Sequence, residues 1–197
     1  MNASQLKAAF ERWALAMHAA APELNALDGR LGDGDLGATL DKCATHMQAV
    51  LPDLPERMDD LLKGAAQACA KASGSSFGTL LAVAFLTAAK WVTTRESLGR
   101  AELAELLHQA VTALAARGGA SLGDKTMLDA LDAIARAFDS AADGDDLRAA
   151  ARRAANDALD RFRDQPNRIG RARVFADKSV GMDDPGMVAV LRMTEAL

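Results

Sequence analysis

Three carboxylates fall within eight residues in the run LDGRLGDGDLG over residues 27–37: Asp28, Asp33 and Asp35, with Gly29, Gly32, Gly34 and Gly37 interleaved. Glycine at that density lets the backbone fold tightly, so the three side chains can aim at one centre. An oxygen-only carboxylate set suits Mg²⁺, which a few acidic side chains hold while phosphate oxygens and waters complete the octahedron. Left alone, the three charges repel one another. Calcium of the EF-hand kind fails on spacing, because twelve-residue loops begun at Asp28 or Asp33 end on Thr39 or Ala44 instead of a bidentate Glu. The same residues can also form a solvated turn in which Asp35 caps the next helix.

Three further runs could carry chemistry. Residues 73–79, Ser-Gly-Ser-Ser-Phe-Gly-Thr, stand directly before an apolar segment. Hydroxyls and backbone N–H groups at a helix N-terminus make an anion site, and they make a capping turn equally well. Residues 117–127, from Arg117 through Gly118, Gly119, Asp124 and Lys125 to Thr126 and Met127, imitate a phosphate-binding P-loop. The spacing refuses that reading, since Asp124 separates Gly123 from Lys125 and no strand precedes the run. Residues 170–186 carry Arg171, Arg173 and an Asp184-Pro185-Gly186 turn, the pattern of a long connection that covers something, with an arginine available to neutralise phosphate. His18, His46 and His108 are scattered without partners, and the Cys43-x-x-His46 spacing has no second ligand pair for zinc. Neither G-x-S-x-G nor a strand-borne G-x-G-x-x-G occurs.

The elements that must position these runs are helices. Ala and Leu recur at helical spacing throughout, and the strand-favouring residues are sparse and never alternate. Periodicity predicts eight segments in an all-α bundle or barrel. The first starts at Ser4 and breaks near Pro22 or Gly29. The second runs from about Asp35 to Val50, the third from Pro55 through Cys69, and the fourth from Ser76 to Val92. The fifth covers about Arg100 to Arg117, the sixth starts at Asp124 and reaches Phe138, the seventh covers Asp145 to Phe162, and a short eighth covers Pro185 to Leu197. The fourth is apolar nearly all round, which predicts the most buried helix. With 197 residues, 50% hydrophobic and 25% charged, the chain fits one globular domain spanning 1–197. A net charge of -4 with 4% aromatics disfavours nucleic-acid binding. The longest uncharged stretch, residues 72–89, is too polar at one end to span a bilayer, and residues 1–4 lead straight into an amphipathic pattern, so a cytoplasmic location is expected. Two cysteines, Cys43 and Cys69, are expected as buried free thiols.

Taken together, LDGRLGDGDLG, SGSSFGTLLA, GGASLGDKTMLDAL and GRAR followed by KSVGMDDPG resemble, in order and spacing, the nucleotide-binding L subunit of dihydroxyacetone kinases, over about residues 5–190. The resemblance implies an eight-helix antiparallel barrel with ADP or ATP at one rim, tied to the protein by two Mg²⁺ ions. It makes Asp28, Asp33 and Asp35 the metal ligands and, with Arg171, the catalytic set. Leu36, Gly37, Ala38 and Thr39 would form the helix start that receives phosphates, contacted also by Ser75 and Ser76. Gly118, Thr126 and Met127 would line the base and ribose, and Arg171 with Asp184, Pro185 and Gly186 would belong to the loop over the nucleotide. A separate K-type subunit would hold the hydroxyketone, in glycerol metabolism, with free ATP or a phosphotransferase-system protein as phosphoryl source. The sequence departs from the family pattern at Leu36, Phe77, Arg173 and the Met182-Asp183 pair. These changes leave open an alternative reading as a nucleotide-binding regulatory protein of the same fold.

Overall fold

Consecutive amphipathic helices joined by short turns run antiparallel, and eight of them can close a ring if the last returns to the first. That is the arrangement in the computed structural model, which describes residues 1–72 and 75–196. The helices are α1 (Ala3–Leu31), α2 (Leu36–Val50), α3 (Met58–Lys71), α4 (Ser76–Val92), α5 (Arg100–Gly118), α6 (Met127–Ser140), α7 (Leu147–Arg163) and α8 (Pro185–Glu195). Two 3₁₀ segments, Leu51–Asp53 and Arg171–Ser179, lie in the α2–α3 and α7–α8 connections. No strand occurs among the described residues. Each helix packs on its sequence neighbours, and α8 packs on α1, closing the eight-helix barrel. Alanines fully buried at the helix contacts, among them Ala14, Ala44, Ala65, Ala89, Ala104, Ala130, Ala151 and Ala189, let the axes approach closely. Cys43 and Cys69 are buried and free, as expected.

Four local expectations change. Helix α1 runs unbroken through Pro22 to Leu31. A mid-helix proline costs about 3 kcal/mol, and the burial of Ala20, Ala21, Leu24 and Leu31 on either side of it outweighs that. Helix α3 begins at Met58, beyond Pro55, because the preceding chain folds back and lays Leu54 on Gly64. Helix α6 begins at Met127, beyond Asp124, because Lys125 adopts a left-handed backbone (φ 61°) that no α-helix can include. Helix α4 is not the most buried: Leu86 is exposed, and only Gly78, Leu81, Ala88, Ala89 and Val92 are buried. A barrel-wall helix faces the interior along one stripe, whatever its composition. The short α8 is buried at every position from Met187 to Leu191, since it packs on α1, α6 and α7 at once.

Candidate functional site

Antiparallel closure brings the N-termini of α2, α4, α6 and α8 to one rim together with the C-termini of α1 and α5. A cavity of about 690 Å³ opens there, lined by Asp28 and Leu31, Leu36, Ser75 to Phe77, Leu114, Arg117 and Gly118, Thr126 to Leu128 and Asp184 to Gly186. Four helix N-termini facing one cavity direct their partial positive charge into it, an environment for a polyanion. Residues Ile169, Gly170, Arg171 and Ala172 of the α7–α8 connection cover it.

The acidic end is built from α1 and the turn to α2. Carboxylate oxygens of Asp28, Asp33 and Asp35 lie within 4.8 Å of one another. Asp28, on the last turn of α1, accepts on Oδ2 from the backbone N–H groups of Asp35 (2.9 Å) and Leu36 (3.2 Å), which leaves Oδ1 for another partner. It thereby caps α2, and Asp35, at the N-cap position, makes no side-chain capping bond. The turn between them passes through Gly34 in the left-handed region (φ 74°). Asn25, one turn before Asp28, accepts from Ala38 N at 3.0 Å. Gly37 sits so close to α1 that a Cβ there would overlap the Ala21 carbonyl oxygen. Three carboxylates, two free of capping duty and the third, Asp28, with an oxygen to spare, form a hard-oxygen donor set that fits Mg²⁺. Arg171 reaches from the covering segment to pair with Asp33.

The other walls follow from the helix caps. Ser75 caps α4, its Oγ accepting from Phe77 N at 3.3 Å, and Phe77 leans on the Gly186 turn. Thr126 caps α6, while the Asp129 carboxylate accepts from Thr126 N (2.8 Å) and Gly123 N (2.6 Å) and so sets the Gly123-to-Thr126 turn. Burial pushes the Asp129 carboxyl up and those amides oppose it. Asp184 caps α8 through Met187 N (2.9 Å), and its burial pushes its carboxyl up to about 6, against the pull of that amide, Asn167 and Lys125.

The structure thus brings Asp28, Asp33, Asp35, Leu36, Ser75, Ser76, Gly118, Thr126, Met127, Arg171, Asp184, Pro185 and Gly186 to one cavity. Gly37, Ala38 and Thr39 stand behind its wall, with Ala38 N given to Asn25 and Thr39 N to the Asp35 carbonyl. Ser73 and Gly74 lie outside the described residues. Of the family departures, Leu36 and Phe77 line the cavity, Arg173 is exposed, and Asp183 is bound by Arg163 Nε at 2.9 Å. Sequence reasoning missed Asn25, whose only signal is its place one turn before Asp28. It also missed Arg117 as a second cation at the cavity and the apolar wall of Leu80, Leu114 and Leu128. His18 and His108 pair instead with Asp41 and Asp139 on the outer surface.

Residues 30–197 match the DAK2 domain family. L-erythrulose 1-kinase of Mycolicibacterium smegmatis is 34% identical over 89% of the chain, which spans 32% of that protein. The ADP-binding subunit DhaL of the PEP-dependent dihydroxyacetone kinase of Escherichia coli is 27% identical over 88% of the chain and 85% of its own length. In three dimensions, the dihydroxyacetone kinase of C. freundii aligns over 98% of the chain and 34% of its own, with a TM-score of 0.79 and 23% identity. A second structure of that enzyme, in complex with AMP-PNP and Mg²⁺, aligns with a TM-score of 0.78 at 24% identity. The chain therefore spans about a third of the length of the erythrulose kinase and the C. freundii enzyme, and most of the length of the subunit from E. coli.

Proposed function

This chain belongs to the DAK2 domain family, and from that premise we propose that it is the nucleotide- and Mg²⁺-binding subunit of a cytoplasmic hydroxyketone kinase, acting on a substrate held by a separate K-type subunit. The carrying observation is the convergence of Asp28, Asp33 and Asp35 at the mouth of a cavity onto which four helix N-termini open. The acceptor class is a small hydroxyketone, as in relatives named for dihydroxyacetone and erythrulose. ADP or ATP would place its base against Leu80, Leu114, Met127 and Leu128 and its phosphates toward the acidic mouth.

Phosphoryl transfer asks chiefly for positioning and charge neutralisation. Two Mg²⁺ ions held by Asp28, Asp33 and Asp35 would supply most of that neutralisation when bound. The chain's own residues supply the rest. The N–H groups at the start of α4 and the dipoles of the converging helices favour the phosphates, Arg171 moves from Asp33 to them, and the covering segment excludes water from the cavity. Phosphoryl groups would come from free ATP or from a phosphotransferase-system protein that recharges resident ADP.

Thermal unfolding with ADP or ATP, with and without Mg²⁺, tests the reading. Nucleotide at a hundredfold excess over its Kd adds about 2.7 kcal/mol, a rise of roughly 5–10 °C at this chain length. That rise is expected only when nucleotide and metal are both present. Equal shifts with and without Mg²⁺ overturn the metal's bridging role, and no shift overturns the nucleotide site.

A further inference from the structure

Among the described residues Lys125 is the largest fully buried side chain, 1% exposed, and none of their carboxylates lies at hydrogen-bond distance from it. Its ammonium donates all three N–H groups to backbone carbonyls: Arg163 at 3.0 Å, Gln165 at 2.8 Å and Ser179 at 2.8 Å. The first two lie where α7 ends and the covering connection begins, and the third lies where the 3₁₀ segment Arg171–Ser179 ends. One side chain therefore grips both feet of the loop that carries Arg171. A second line of bonds repeats the grip, with Asn167 Nδ2 donating to the Lys125 carbonyl (2.7 Å) and to Asp184 Oδ1 (2.8 Å), and Arg168 N donating to the Asp124 carbonyl (3.1 Å).

Lys125 is also the only residue other than glycine with a positive φ among the described residues, a conformation disfavoured for a long side chain. Burial disfavours its charged form as well. Two unfavourable choices at one residue persist only where the surroundings over-determine them. Here the left-handed backbone sends the ammonium under the covering loop while the next two residues, Thr126 and Met127, stay on the cavity wall.

We propose that Lys125 is a positioning residue for the nucleotide site: its ammonium clasps both ends of the covering loop and so holds Arg171 over the cavity. It touches neither nucleotide nor metal, and it acts through Arg171. The clasp rests on the proposed function and adds to it a residue that sets how long nucleotide stays bound.

A double-mutant cycle on Mg²⁺-dependent ADP binding tests it, read as affinity and dissociation rate for the unsubstituted chain, Lys125→Met, Arg171→Ala and the double variant. Lys125→Met is expected to weaken binding roughly tenfold, the equivalent of losing one charge-assisted contact, mostly through faster dissociation. In the Arg171→Ala background the same substitution is expected to change binding less than about twofold. A merely structural lysine gives equal losses in both backgrounds, and that additivity overturns the clasp. If Lys125→Met does not fold, Lys125→Gln, which keeps two N–H donors, carries the same cycle with the same two outcomes. Absence of Mg²⁺-dependent ADP binding by the unsubstituted chain overturns the site reading and the clasp with it; binding with additive losses overturns the clasp alone.

Discussion

The three acidic residues are chemically alike and structurally unequal, so removing them one at a time separates metal binding from stability. Asp28 accepts two backbone N–H groups at the start of α2, whereas Asp33 makes only an exposed pair with Arg171. Hydrogen bonds to a charged acceptor contribute about 1.5–3 kcal/mol each; at a partly exposed site the low end applies, so Asp28→Ala gives up about 3 kcal/mol. It also relieves repulsion from its two neighbours, whose oxygens are within 4.8 Å, by about 1 kcal/mol per pair at water's dielectric. The net cost is about 1 kcal/mol, or roughly 2–4 °C in Tm for a chain of this length. Asp33→Ala loses an exposed ion pair worth about 0–1 kcal/mol and gains the same relief from its own two neighbours, about 2 kcal/mol, so its Tm should rise by roughly 2–8 °C over the parent. Asp28→Asn keeps an oxygen for the two N–H groups and recovers most of the loss. Urea unfolding in the presence of a chelator measures all three, and calorimetric titration of Mg²⁺ with ADP measures binding, which each variant should lose. Equal stability of Asp28→Ala and Asp33→Ala, or no recovery in Asp28→Asn, refutes the capping argument; retained Mg²⁺-dependent binding in Asp33→Ala refutes the metal assignment.

Gly37→Ala drives a methyl into the Ala21 carbonyl and toward Asn25 Oδ1; over-packing of this kind costs about 3 kcal/mol, so Tm should fall by roughly 6–12 °C, and an unchanged Tm contradicts the close α1–α2 approach. Asp184, with its carboxyl pushed up to about 6, takes up its proton in the folded state before it would in the unfolded chain. Its contribution therefore favours folding at low pH and is lost as pH rises from about 4 to 6, by about 3 kcal/mol at most. Asp184→Asn lacks this titration, so its stability relative to the parent, followed by urea unfolding across that window, should climb with pH; a flat difference refutes it.

Helix content and the acidic loop were legible in the sequence because both are local. Leu and Ala at helical spacing mark the eight helices, and Asp with Gly over residues 27–37 marks a turn of carboxylates. The order of the four polar runs was legible too, each standing at a helix end. That they share one rim follows from antiparallel closure, which places α2, α4, α6 and α8 with their starts together.

Other features are products of closure alone. Proline at position 22 breaks a helix in isolation, and only the packing of α1 in the ring holds it through Leu31. Apolar composition predicted the burial of α4, but a helix in the barrel wall turns only one stripe inward, and it is the short α8 that is buried at every position from Met187 to Leu191. Asn25 became part of the site by facing the start of α2, and Lys125 by lying beneath a loop whose feet are 38 and 54 residues away. A single sequence records what each residue prefers locally. Which carbonyl or carboxylate comes to meet it is decided by the closing of the barrel, where buried polar groups must find partners among whatever the chain brings there.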